Sequence, residues 1–172
     1  MDQPQIELIV RLTARMSAAA FAAALLLFSV GRGRSQRRVR QGLQFLAAFI
    51  LVHTVHFGAV LWLAALSNGA NIQARGGWPL MVVVAGLFYL SAFALLRLWR
   101  GIDAGRAVTS GKRVGAAAGV AVIAIVFLNS YVARVERMPI YWLPTIGMIA
   151  VVAAYFARAR TRAFPVEHTL RR

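Results

Sequence analysis

The stretch Gly42-Leu43-Gln44-Phe45-Leu46-Ala47-Ala48-Phe49-Ile50-Leu51-Val52-His53-Thr54-Val55-His56-Phe57-Gly58-Ala59-Val60-Leu61-Trp62-Leu63-Ala64-Ala65-Leu66-Ser67 decides the fold. Between positions 43 and 66 it carries no Asp, Glu, Lys or Arg. A helix needs about 20 apolar residues to cross a bilayer, so this run is read as a membrane span. His53 and His56 lie near its middle. An ionisable side chain inside the hydrocarbon is costly and marks a candidate functional site by default.

The residues before it, Gly31-Arg32-Gly33-Arg34-Ser35-Gln36-Arg37-Arg38-Val39-Arg40-Gln41, hold five arginines and no acid. Short basic loops face the cytoplasm, so the span is expected to run outward from this loop. With four further apolar runs the predicted spans number five, at about 6–30, 43–66, 78–96, 114–132 and 140–156. The loop after the second span carries only Arg75 and has Ser-Asn-Gly and Gly-Gly turn chemistry. Arg97, Arg100, Arg106, Lys112 and Arg113 mark a second basic loop around Asp103, and Arg158, Arg160 and Arg162 a third. Basic and lightly charged connections therefore alternate. The reading that satisfies them is an all-α bundle of five transmembrane helices in one domain, with the N-terminus outside and the C-terminus cytoplasmic. Trp62, Trp78, Tyr131, Tyr141 and Trp142 are expected at the outer interface, and Trp99, Tyr155 and Phe156 at the inner one.

Composition agrees. The 172 residues are 60% hydrophobic with a mean hydropathy of +0.66, above the 45–50% apolar share of soluble domains. The net charge of +15 would suggest nucleic acid in a soluble protein, but these charges sit between apolar runs and are read as topology signals. Their expected partners are anionic lipid head groups, not nucleic acid. Cysteine is absent, which removes disulfides, thiolate metal sites and a Cys nucleophile. The opening Met1-Asp2-Gln3-Pro4-Gln5 lacks the basic start of a secretory signal, so the first span is expected to be retained. In that span Glu7, Arg11 and Arg15 fall on one helix face, either as the start of one long helix or as a separate surface helix, with both arginines reaching toward head groups.

A helix rises about 1.5 Å per residue, which sets the depth of each polar residue along its span. His53 and His56 stand roughly 15 and 20 Å above the start of their span. Tyr89 sits near the middle of the third span, and Asn129, Ser130 and Thr145 somewhat toward the outside. Polar groups in a bilayer turn inward, which predicts a layer in which these side chains meet. One reading of the layer is interhelical hydrogen bonding; another is a haem or quinone pocket, with His53 and His56 as candidate iron ligands and Tyr89 and Asn129 beside them. The two histidines are three residues apart on one helix, so they cannot ligate one haem from opposite sides. Gly115 and Gly119 form a small-residue face for helix packing, within the chain or with a partner. Gly101 to Gly105 lacks the lysine and hydroxyl of a phosphate loop and is read as a turn. The carboxylates, Asp2, Glu7, Asp103, Glu136 and Glu167, lie at ends or loops, and no catalytic constellation is visible. The halves are not inverted copies, which disfavours a secondary transporter.

Several short pieces in order carry a resemblance: 8–15 before the first span, His53-Thr54-Val55-His56-Phe57-Gly58, the run 86–95, Asn129-Ser130-Tyr131, and Pro139-Ile140-Tyr141-Trp142-Leu143-Pro144. On these the chain resembles the ferric-reductase-like transmembrane type, haem-b relatives of the methionine-sulfoxide-reductase haem subunit. The resemblance implies bis-histidine haem b and electron transfer across a bacterial inner membrane. The second histidine would be expected around Gly111-Lys112-Arg113-Val114-Gly115, which has none. The expectation is therefore a non-catalytic integral subunit or accessory protein of a larger membrane complex, recruited through Gly115, Gly119 and the basic loops. The alternative is a haem-b or quinone-binding electron-transfer protein using His53 or His56.

Overall fold

A computed structural model describes residues 3–31, 36–74, 76–106, 109–135 and 138–161. The elements are α1 (Gln3–Gly31), α2 (Gln36–Leu66), the short α3 (Ala70–Gln73), α4 (Gly77–Asp103), α5 (Ser110–Val135), a 3-10 turn (Pro139–Tyr141) and α6 (Trp142–Thr161). Among the described residues there is no strand, and five helices are long and apolar enough to cross a membrane. The protein is a multi-pass helical membrane protein by that criterion.

The helices overrun the apolar runs that predict them. The second span was expected from residue 43, yet α2 begins at Gln36 and takes in Arg37, Arg38 and Arg40; α4 continues through Arg97 and Arg100 to Asp103. Arginine is a good helix former, and its long stem carries the charge away from apolar surface, so polarity does not end a helix here. The first span is one continuous helix, with no break before Met16.

α1 and α2 pack antiparallel, and the pairing can be read from residue numbers. Phe21 meets Phe49 with ring centroids 5.1 Å apart, Ser17 meets His53, and Thr13 meets His56. One number falls as the other rises. At the end of this seam Gly42 lets the helices close: a Cβ there would lie 2.7 Å from Cδ1 of Phe28. The Phe28 ring in turn stacks on Trp99 at 4.0 Å and 4°. Trp99 is thus a core residue, fully buried, and Tyr155 is 2% exposed; neither is the interface anchor that its place near a basic end suggested. The reason for Trp99 is rotational. Phe88, Ala92, Leu95 and Trp99 recur at helical spacing on the buried face of α4.

Phe21, Phe49, Phe88 and Phe127, one from each of α1, α2, α4 and α5, close a ring at the centre. Successive centroids are 5.1, 5.4, 6.1 and 6.2 Å apart, within the range of favourable aromatic pairs. The α4–α5 seam uses Gly119, where a Cβ would lie 3.0 Å from the Ser91 carbonyl oxygen; at Gly115 a Cβ would meet nothing within 4 Å. Of the two glycines expected to form one packing face, only Gly119 is used within the chain.

Replacing Gly119 by Ala is expected to push α5 off the Ser91 backbone and cost about 1–3 kcal/mol, the usual range for overpacking. Gly115→Ala should leave stability unchanged or slightly raised. Unfolding of both variants in detergent, followed by circular dichroism, checks the pair; equal stability would contradict the α4–α5 packing.

Candidate functional site

The histidines of α2 are held by α1. Ser17, fully buried, places its Oγ 3.1 Å from Nδ1 of His53. Four residues earlier, one helical turn, Thr13 places its Oγ1 3.2 Å from Nδ1 of His56. That same Nδ1 lies 3.0 Å from the carbonyl oxygen of Val10. A carbonyl only accepts, so Nδ1 of His56 is the donor in this contact. The Thr13 hydroxyl donates to the Ile9 carbonyl at 2.6 Å, the ordinary back-bond of a threonine in a helix.

Around this seam the environment is aromatic. The His53 ring stacks on Phe88 at 3.8 Å and 20°, with Phe49, Phe127 and Tyr89 within 6.2 Å. His56 lies 5.3 Å from His53, ring to ring. Tyr89 does join the cluster, edge-on to His53, and its hydroxyl donates to Thr54 Oγ1 at 3.2 Å, tying α4 to α2.

The rest of the expected polar layer does not assemble. Asn129 is exposed, on the same outward face of α5 as Ile125 and Val132. Ser130 accepts from Arg134, 2.6 Å away. Thr145 is buried but donates to the carbonyl of Tyr141, four residues back in the 3-10 turn that leads into its helix. A common depth brings residues to one level of the bundle; it does not turn them toward one another. Conversely, Thr13 and Ser17 were missed. Their signal was present as hydroxyls one turn apart on the helix that must pair with α2, but it is readable only once the antiparallel register is known. Arg15, expected to reach toward head groups, instead donates to the Tyr141 hydroxyl at 3.2 Å, while Arg11 pairs with Glu7 at 3.5 Å.

As a haem site the arrangement is incomplete. His53 and His56 are neighbours on one helix and cannot be opposed axial ligands. No group of three or more His, Cys, Asp or Glu side chains comes together among the described residues. The remaining histidine, His168, lies outside them. One face of His53 is covered by Phe88, and the four-phenylalanine ring fills the bundle centre beside it. What the site does supply is orientation: hydrogen bonding at Nδ1 fixes both imidazoles, as it does for ligand histidines in general.

No family model matches the chain, and neither a curated protein nor a solved structure does.

The Ser17–His53 contact is expected to carry a coupling of about 0.6 kcal/mol, the average for interhelical hydrogen bonds in membranes. A double-mutant cycle of Ser17→Ala and His53→Ala, read by unfolding in mixed detergent, measures it. Zero coupling would show that the hydroxyl and the imidazole do not interact.

Proposed function

We propose that the protein is a non-catalytic integral subunit or accessory protein of a larger membrane complex. The observation that supports this reading is Asn129. Its amide, two donors and an acceptor, stands on an apolar outward face between Ile125 and Val132, and no described residue hydrogen-bonds to it. An unmet amide in hydrocarbon is costly, and such groups are met in membranes by a second helix. The sparse use of α2 points the same way: 11% of its apolar window is buried by the rest of the chain, against 39% for α1 and α5. The histidines are then structural, spent on the α1–α2 seam.

Purified in a mild detergent, the protein should bring a membrane partner with it, and Asn129→Leu should reduce the recovery several-fold while the helix content stays constant. A lone, monodisperse monomer under those conditions would refute the reading.

The orientation proposed is N-terminus outside and C-terminus in the cytoplasm of a bacterial inner membrane, supported by the basic connections at one end of the bundle. Cysteines introduced at Ser35 and Ser110 should be labelled by an impermeant reagent only from the cytoplasmic side. Labelling of either from outside would overturn that topology.

The second reading, a haem-b or quinone-binding electron-transfer protein, is favoured by one observation, the contact of His56 Nδ1 with the Val10 carbonyl oxygen at 3.0 Å, which orients the ring. In it Nε2 would be the ligand atom, with a second ligand from another chain. It predicts a Soret band in the absorption spectrum that His56→Ala removes. Absence of that band from protein purified with its partner rules it out.

A further inference from the structure

At the basic end of the bundle, α4, α5 and their connection form a half-open cavity of about 550 Å³ lined by Arg97, Arg100, Arg106 and Lys112, with Ala94 and Leu98 among its apolar walls. The local sequence builds it. α4 ends in a Schellman cap: Gly105 takes φ +67, its N–H bonds to the Ile102 carbonyl at 3.0 Å, and the N–H of Arg106 bonds to the Gly101 carbonyl at 2.9 Å. That left-handed turn folds Arg106 back beside Arg97 and Arg100, which lie three residues apart on the last turns of α4. Thr109 then caps α5, its Oγ1 accepting from the Lys112 N–H at 3.4 Å. The positive end of the α5 dipole thereby opens at the same place.

Three features define what fits. First, the charge is uncompensated. Among the described residues no carboxylate pairs with any of the four cations, and the nearby acid, Asp103, is bonded instead to Arg40 of α2 at 3.3 Å. Second, the depth is that of head groups. A helix of 27 residues is about 40 Å long, longer than the hydrocarbon core of about 30 Å, so the last turns of α4 reach the head-group layer. Third, the cavity is amphipathic, with cations at its rim and Ala94, Leu98 and Ala116 lining the wall that continues toward the apolar part of the helices.

We propose that this cavity binds the phosphate of an anionic membrane phospholipid, its acyl chains lying along the apolar wall between α4 and α5. Guanidinium groups recognise phosphate oxygens in bidentate fashion, and basic pockets between membrane helices recognise lipid phosphates by this chemistry. Free phosphate shares the head-group chemistry but makes no use of the apolar wall. The inference requires that the chain spans a bilayer and is independent of any protein partner.

The test is native mass spectrometry of the full chain, purified in mild detergent and titrated with phosphatidylglycerol, phosphatidylcholine or inorganic phosphate. Phosphatidylglycerol should be retained and phosphatidylcholine not. Arg100→Gln and Arg106→Gln should each weaken retention about fivefold, and together about 25-fold. Arg37→Gln with Arg38→Gln, two exposed charges of α2, should change it less than twofold. Circular dichroism of each variant establishes that it is folded, and the two single variants keep the test decisive if the double fails to fold. Equal losses in the cavity and α2 variants, or no loss in either, would overturn the site by showing diffuse attraction only. Displacement of the lipid by millimolar inorganic phosphate would overturn the lipid assignment in favour of the free anion.

Discussion

The close approach of α1 to α2 is the contact on which the bundle depends. Lipid tails are as apolar as the helices, so association in a membrane rests on packing and a few hydrogen bonds. Gly42 removes the side chain that would hold the two helices apart, and Phe28 fills the space. Because Phe28 also stacks on Trp99, the same approach fixes α4. Midway along the seam Phe21 and Phe49 extend the contact to Phe88 and Phe127, and so to α4 and α5. α1 is therefore among the most enclosed helices although it begins with Glu7, Arg11 and Arg15.

The histidines take their meaning from that seam. Two hydrogen bonds of about 0.6 kcal/mol each add little to stability. They matter more for register. Ser17 and Thr13 are one turn apart, and His53 and His56 nearly one, so sliding α1 past α2 by a single residue would disengage both pairs at once. An apolar seam of alanine and leucine tolerates such slips. A polar pair in a low-dielectric setting does not, because the alternative is an unmet group in hydrocarbon.

How much was legible in the sequence follows from what each signal encodes. Span number was readable because apolar length is a property of one segment at a time. Gly101 to Gly105 is expected as a turn, yet α4 runs on through Gly101, Ile102 and Asp103, and only Ala104 and Gly105 turn. Rotation about the helix axis was not readable. Trp99 lies near a basic end, which suits an interface anchor and a core residue equally; the spacing from Phe88 through Ala92 and Leu95 decides for the core. Asn129 shares a depth with the histidines and faces away from them. The hydroxyls of Thr13 and Ser17, one turn apart, are unreadable without the register, since a hydroxyl in a membrane helix is usually satisfied by its own backbone, as Ser29 is by Leu25.

The two ends of the bundle carry cations that behave differently, and a charge count does not distinguish them. At the end holding α1's first turns, Arg11 is engaged by Glu7, Arg15 by Tyr141, and Arg134 by Ser130. Arg15 and Arg134 also stand 5.9 Å from the Tyr141 ring, sharing one aromatic partner. Such charges are spent on positioning α1, α5 and α6. At the other end Arg97, Arg100, Arg106 and Lys112 gather around a cavity with no carboxylate paired to them among the described residues. Like charges gathered around one cavity repel, and an anion bound among them offsets that repulsion. In a bilayer the abundant anion at that depth is lipid phosphate, which would make the membrane itself part of what holds the α4–α5 connection in its folded form.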